Sequence, residues 1–159
     1  GCDVENIKRE NDVLEIAHRY FSDNESEELF SLPESKQRSR FFDYWTLKES
    51  YIKACGLGLA IPLKDFSFQI EPSVSKHYNE NIHLSVVPER NDDPDLWESW
   101  LFYPSDEHRV ALSIKSLNTI SPKKQPPSYK IRFFNSTPLL SMQEFSWLHP
   151  TPRPKFHQE

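Results

Sequence analysis

Between Pro33 and the glycines Gly56 and Gly58 runs an uninterrupted segment, Glu34 to Cys55, with no proline or glycine inside it. Proline before and glycine after are the ordinary stop signals of a helix, so this spacing predicts one long helix over 34–55. At 1.5 Å per residue it is roughly 33 Å long, about the width of a small domain. At about 100° of rotation per residue, Tyr44, Leu47, Tyr51, Ala54 and Cys55 share one side and Glu49 and Lys53 the opposite one. The helix is therefore expected to bury one face and offer the other.

The other elements must cover that buried face. Gly1-Cys2-Asp3-Val4-Glu5 alternates at period two, which reads as a strand end with Asp3 and Glu5 pointing the same way. Asp12 with Glu15 has the form of a capping box, and Val13, Ile16, Ala17 and Tyr20 then make an apolar stripe with Phe21 beside it. Ser22 with Glu25 is a second capping signal, for a short helix through Phe30. Strands are expected at Phe66 to Ile70, Ile82 to Val86, Trp97 to Tyr103 and Arg109 to Ile114, the last two joined as a hairpin through Pro104 to Glu107. The implied class is α+β: an antiparallel sheet packed by a long helix and a shorter helix.

Charge divides the 159 residues unevenly. Residues 1–116 hold 13 Lys and Arg against 22 Asp and Glu, whereas residues 117–159 hold 6 against 2. An acidic body argues against nucleic-acid binding, which needs a basic face to displace phosphate counterions. No run of about 18 apolar residues could span a bilayer. Cys2 and Cys55 form no CxxC pair and the histidines show no zinc spacing. With no signal peptide, a cytoplasmic location is expected. Seven of the 13 prolines fall in residues 118–159. That segment is expected to be a basic, extended tail packing on the domain, with an edge strand at Tyr129 to Phe134.

Two carboxylates at i and i+2 of a strand stand about 7 Å apart, near enough to share a hard cation through oxygen ligands. By itself such a triplet is more often a pair of solvated acids. Glu49 and Lys53, one helical turn apart, are likewise more often a surface pair worth a few tenths of a kcal/mol.

Together the two segments say more. Gly1-x-Asp3-x-Glu5, followed by Trp45-x-x-Lys48-Glu49-Ser50-x-x-Lys53-Ala54, resembles the 4'-phosphopantetheinyl transferase superfamily. Arg19-Tyr20-Phe21-Ser22 with Glu25, and Gly56-Leu57-Gly58-Leu59, are similar to the helix, turn and helix end that these enzymes carry. The resemblance covers Gly1 to about Ser116 and favours the surfactin-synthetase-activating type, whose single chain holds two similar halves. It matches only the second half, so a fragment is expected: one pseudo-symmetric half of a two-half enzyme, monomeric when both halves are present.

The resemblance implies Mg²⁺-dependent transfer of 4'-phosphopantetheine from coenzyme A to a serine of an acyl or peptidyl carrier protein, releasing adenosine 3',5'-bisphosphate. It implies Asp3, Glu5 and Glu49 as metal ligands, Glu49 as general base with Glu5 as competitor, and Lys53 as the cation neutralising or protonating the leaving phosphate. Lys48 resembles the lysine that meets the coenzyme A phosphates, while Trp45 is expected to pack and Ser50 to be structural. Ile7, Lys8, Arg9 and the helix through Tyr20 are candidates for carrier-protein contact, and the adenine and 3'-phosphate contacts are expected upstream. The alternatives are a non-catalytic carrier-binding module on the same scaffold and a site shared between subunits.

Overall fold

A computed structural model of the protein describes residues 1–116, 129, 131–137 and 141–145. Two compact units, Gly1–Leu117 and Asn118–Glu159, make up the chain.

In the first unit the elements are β1 (Cys2–Asn6), α1 (Val13–Tyr20), α2 (Asp23–Ser31), α3 (Glu34–Cys55), β2 (Phe66–Ile70), β3 (Tyr78–Asn79), β4 (Ile82–Val86), β5 (Trp97–Ser105) and β6 (His108–Lys115). All pairing is antiparallel: one sheet has the order β1-β6-β5-β3 and a second pairs β2 with β4. Local chemistry sets the helix ends. Asp12 accepts from the Glu15 amide, and Ser22 and Glu25 form the full reciprocal box. Gly56 ends α3 at φ 70°, a left-handed position that suits glycine. The two-residue strand β3 has no alternating pattern to betray it; it is held by pairing Tyr78 with Phe102.

The environment of α3 keeps the open side expected at Glu49 and Lys53 but narrows it to a single line. From Phe41 to Ile52 only Trp45 and Glu49 keep partial exposure; the residues between them on every side are buried. Aromatic rings fill the surroundings, with Phe21 stacked on Phe41 at 5.2 Å and Tyr51 between Phe66 and Trp97 at 4.5 and 4.6 Å. An ion pair, Asp43 with Arg109 of β6 at 2.7 Å, lies inside as well. Burial pushes the Asp43 carboxyl up to about 6 against the pull of Arg109.

Strand β1 lies directly on α3. A Cβ at Gly1 would fall 2.0 Å from the Ser50 carbonyl oxygen and 2.4 Å from the Ala54 nitrogen, both backbone atoms that cannot swing away. Small residues on both sides permit the approach, and the Ser50 hydroxyl is absorbed by the Leu47 carbonyl and Ser113 Oγ. Gly1→Ala is expected to cost roughly 1–3 kcal/mol through overpacking. Urea unfolding checks it, and an unchanged midpoint would refute the close contact.

In the second unit, described by itself, β7 (Phe133–Thr137) and β8 (Ser141–Phe145) form an antiparallel pair in which Phe133 faces Phe145 and Thr137 faces Ser141. This corrects the strand expected at Tyr129 to Phe134: the strand begins at Phe133 and has a partner, because pairing selects the Phe133–Thr137 register. Expectations for 117–128 and 146–159 lie outside the described residues.

Candidate active site

Antiparallel pairing of β1 with β6 sets Asp3 opposite Ala111 and Glu5 opposite Arg109, on the side facing α3, while Val4 points outward and is 62% exposed. The open line of α3 is Trp45, Glu49 and Lys53, spaced one turn apart. Strand and helix meet along this line. Lys53 Nζ donates to Asp3 Oδ1 at 2.6 Å, and Trp45 Nε1 donates to Glu5 Oε1 at 3.2 Å. Glu49, midway between Trp45 and Lys53 on the helix, feels both strand carboxylates.

Those neighbours show in the electrostatics. Desolvation, then repulsion from Asp3, and also from Glu5, holds Glu49 above the ordinary glutamate value despite Lys53. The hydrogen bond to Asp3 holds Lys53 above the usual lysine value although its side chain is half exposed. Lys53 is thus a fixed cation, better suited to neutralising a phosphate than to giving up a proton. Asp3 is 7% exposed, and its second oxygen, Oδ2, is buried with no hydrogen-bond partner. A buried carboxylate oxygen without a partner is costly and points to a ligand. Glu5 is better satisfied, its Oε2 lying 3.5 Å from Arg9 Nη1.

Among the described residues no three acidic, His or Cys side chains converge closely enough to hold a metal ion as they stand. Glu49 nonetheless feels the charges of Asp3 and Glu5, with Lys53 lying against Asp3 and Arg9 against Glu5.

Lys48 is not in that site, which corrects its expected contact with coenzyme A phosphates. Its Nζ is fully buried on the other side of α3, 2.8 Å from Glu25 Oε2, 2.8 Å from the Leu63 carbonyl and 2.7 Å from that of Phe66. With three acceptors for three protons, the ammonium has nothing left for a phosphate. Glu25 also receives the Phe68 amide and the Ser22 hydroxyl, so α2, α3 and β2 meet at one ion pair. The capping box at Ser22 shows why Glu25 sits where it does, yet gives no sign of Lys48.

The carrier-contact candidates occupy the loop from β1 to α1. Lys8 pairs with Glu107, Arg9 with Glu5, and Ile7 packs against the core. Arg38 of α3 was invisible as a partner of this loop because 27 to 31 residues separate it from the carbonyls it holds.

The family model described as "4'-phosphopantetheinyl transferase superfamily" matches residues 1–113. The 4'-phosphopantetheinyl transferase gsp of Aneurinibacillus migulanus is 37% identical over 100 residues, covering 63% of this chain and 40% of that protein. Sfp, the 4'-phosphopantetheinyl transferase of Bacillus subtilis strain 168, is 40% identical over 70 residues, or 44% of this chain and 30% of Sfp. The chain thus spans well under half the length of these relatives. In fold it is similar to the holo-[acyl-carrier-protein] synthase of Thermotoga maritima, with TM-score 0.54 and 19% identity over 94% of this chain and 83% of that one. The match over 1–113 takes in both β1 and α3, the two elements that bring Asp3, Glu5, Glu49 and Lys53 together, and the chain belongs to the 4'-phosphopantetheinyl transferase superfamily.

Proposed function

We propose that this chain carries the catalytic part of an enzyme that transfers 4'-phosphopantetheine from coenzyme A to a serine hydroxyl of an acyl or peptidyl carrier protein, releasing adenosine 3',5'-bisphosphate. The observation that carries the reading is the unpartnered, buried Asp3 Oδ2 beside a Glu49 carboxylate held above its ordinary pKa. The names of the relatives support the same reaction.

The chemistry of the donor set suits Mg²⁺, carboxylate oxygens only with one of them unsatisfied, although the three side chains would have to draw together to ligate one ion. Asp3, Glu5 and Glu49 would hold the ion, which supplies charge neutralisation and polarisation of the pyrophosphate when bound. Glu49 accepts the proton of the carrier serine, its raised pKa bringing it nearer to that task. Lys53, fixed as a cation by Asp3, balances charge on the departing 3',5'-bisphosphate. Trp45 aims the Glu5 carboxylate through its indole N–H.

A cation that relieves this repulsion should also stabilise the fold. Because the Glu49 carboxyl binds its proton more tightly folded than unfolded, its ionisation costs stability as pH rises from the ordinary glutamate range through the raised value. Mg²⁺ at ten times its dissociation constant is expected to restore about 1.4 kcal/mol at neutral pH, and less where Glu49 is protonated. Thermal unfolding with Mg²⁺ and with chelator, at pH 7 and pH 5, checks this. No shift, or a shift that survives Asp3→Asn, removes the metal assignment.

The direct test incubates the full-length polypeptide with apo carrier protein, coenzyme A and Mg²⁺ and follows carrier mass. A gain of one phosphopantetheine is expected; tight carrier binding with no gain would overturn the catalytic reading.

A further inference from the structure

We propose that Arg38 is a positioning residue for carrier-protein docking: its guanidinium clamps the loop between β1 and α1 and so presents Lys8 and Arg9. This rests on the transferase reading above and adds a residue and a physical route to it.

The geometry is unusual for a half-buried arginine: among the described residues no carboxylate pairs with it, and its partners are backbone and amide oxygens. Nε donates to the Ile7 carbonyl at 2.6 Å, Nη1 to the Asn11 carbonyl at 3.3 Å, and Nη2 to the Arg9 carbonyl and to Asn11 Oδ1. The same guanidinium lies over the Phe42 ring at 5.4 Å, so its own plane is set by a buried side chain. One rigid fork thus gathers the carbonyls of residues 7, 9 and 11. Such a set suits arginine, whose donors diverge in a fixed plane, and suits lysine poorly.

The held segment joins two functions. At its start Glu5, a candidate metal ligand, takes Arg9 across 3.5 Å; at its end Asp12 caps α1. Other ties on the loop are short-range or exposed: the Lys8 amide to Asn6 Oδ1, the Arg9 amide to the Asn6 carbonyl, and the Lys8–Glu107 pair. The Ile7 amide is held by the Glu107 carbonyl at 2.8 Å, so the loop is pinned at its first residue and depends on Arg38 beyond it. A released loop would keep its charges but lose their placement, and the ordering cost would move to the moment of docking. Lys8 and Arg9 are largely exposed cations of this loop, so a carrier protein offering acidic side chains is the partner they would suit.

The test uses the full-length polypeptide and compares wild type, Arg38→Gln and Arg38→Lys. Arg38→Gln is expected to raise KM for the carrier about tenfold, with kcat and KM for coenzyme A changed less than about twofold. Hydrogen exchange of the Arg9 and Asn11 amides should speed up in the same variant, and Arg38→Lys should recover only part of either effect. An unchanged carrier KM with faster exchange would overturn the docking role while leaving the clamp. An equal fall for both substrates, or unchanged exchange, would overturn the proposal as a whole. Failure of the wild type to modify any carrier would instead count against the transferase reading, and the exchange result would still judge the clamp.

Discussion

Replacing Glu49 with glutamine is expected to slow carrier modification by roughly 10²–10⁴-fold, the range that a positioned general base contributes. The substitution keeps the volume of the side chain and removes only its charge. The carboxylate is held above its ordinary pKa by desolvation and by Asp3, so its ionised form weakens the fold, and Glu49→Gln should unfold at an equal or higher denaturant concentration than wild type. Loss of activity without loss of stability separates a chemical role from a packing role. Glu5→Gln is the control for the competing base. Glu5 is already served by Trp45 and Arg9, so its replacement should show a smaller fall in kcat than Glu49→Gln. Transfer within tenfold of wild type in Glu49→Gln, measured by carrier mass against time, would remove Glu49 from the chemistry.

Replacing Lys48 with methionine is expected to cost about 3–5 kcal/mol, because Glu25 would be left as a buried carboxylate without its cation. The pair is 2.8 Å apart with both side chains essentially inaccessible. Burial pulls the Lys48 ammonium below its ordinary pKa, against the pull of Glu25. The double variant Glu25→Gln with Lys48→Met should lose less than the sum of the single changes, since neither partner is then stranded. Denaturant unfolding of the three variants measures this. Wherever Lys48→Met still folds, KM for coenzyme A should be unchanged. A stable variant with a raised coenzyme A KM would return Lys48 to the phosphates.

These two neighbours on one helix, Lys48 and Glu49, mark the limit of what periodicity tells. A step of about 100° separates them, and the pattern alone does not say how much of the circumference is covered. With α1, α2 and strands of both sheets packed against it, α3 is enclosed around Lys48 and open along Trp45, Glu49 and Lys53. The same enclosure explains why Asp43, a charged residue within the helical pattern, ends inside with Arg109 of β6. Arg38 was illegible for a related reason: its partners are backbone carbonyls, which carry no sequence signature.

Local chemistry, by contrast, was readable wherever neighbours in the chain decide the outcome. Pro33 and Gly56 bound α3, Ser22 and Glu25 start α2, and alternation marks β2 and β4, all through steric or hydrogen-bonding effects within a few residues. The period-two spacing of Asp3 and Glu5 and the one-turn spacing of Glu49 and Lys53 placed each pair on a common side of its own element. Only the tertiary structure decided that those sides meet, that Gly1 lets the strand approach the helix backbone, and that Lys48 turns inward to Glu25. The reason is one of range. Dihedral preferences and caps act over a turn or a pleat, whereas burial, ion pairing and the approach of two backbones depend on residues 23 to 66 positions apart.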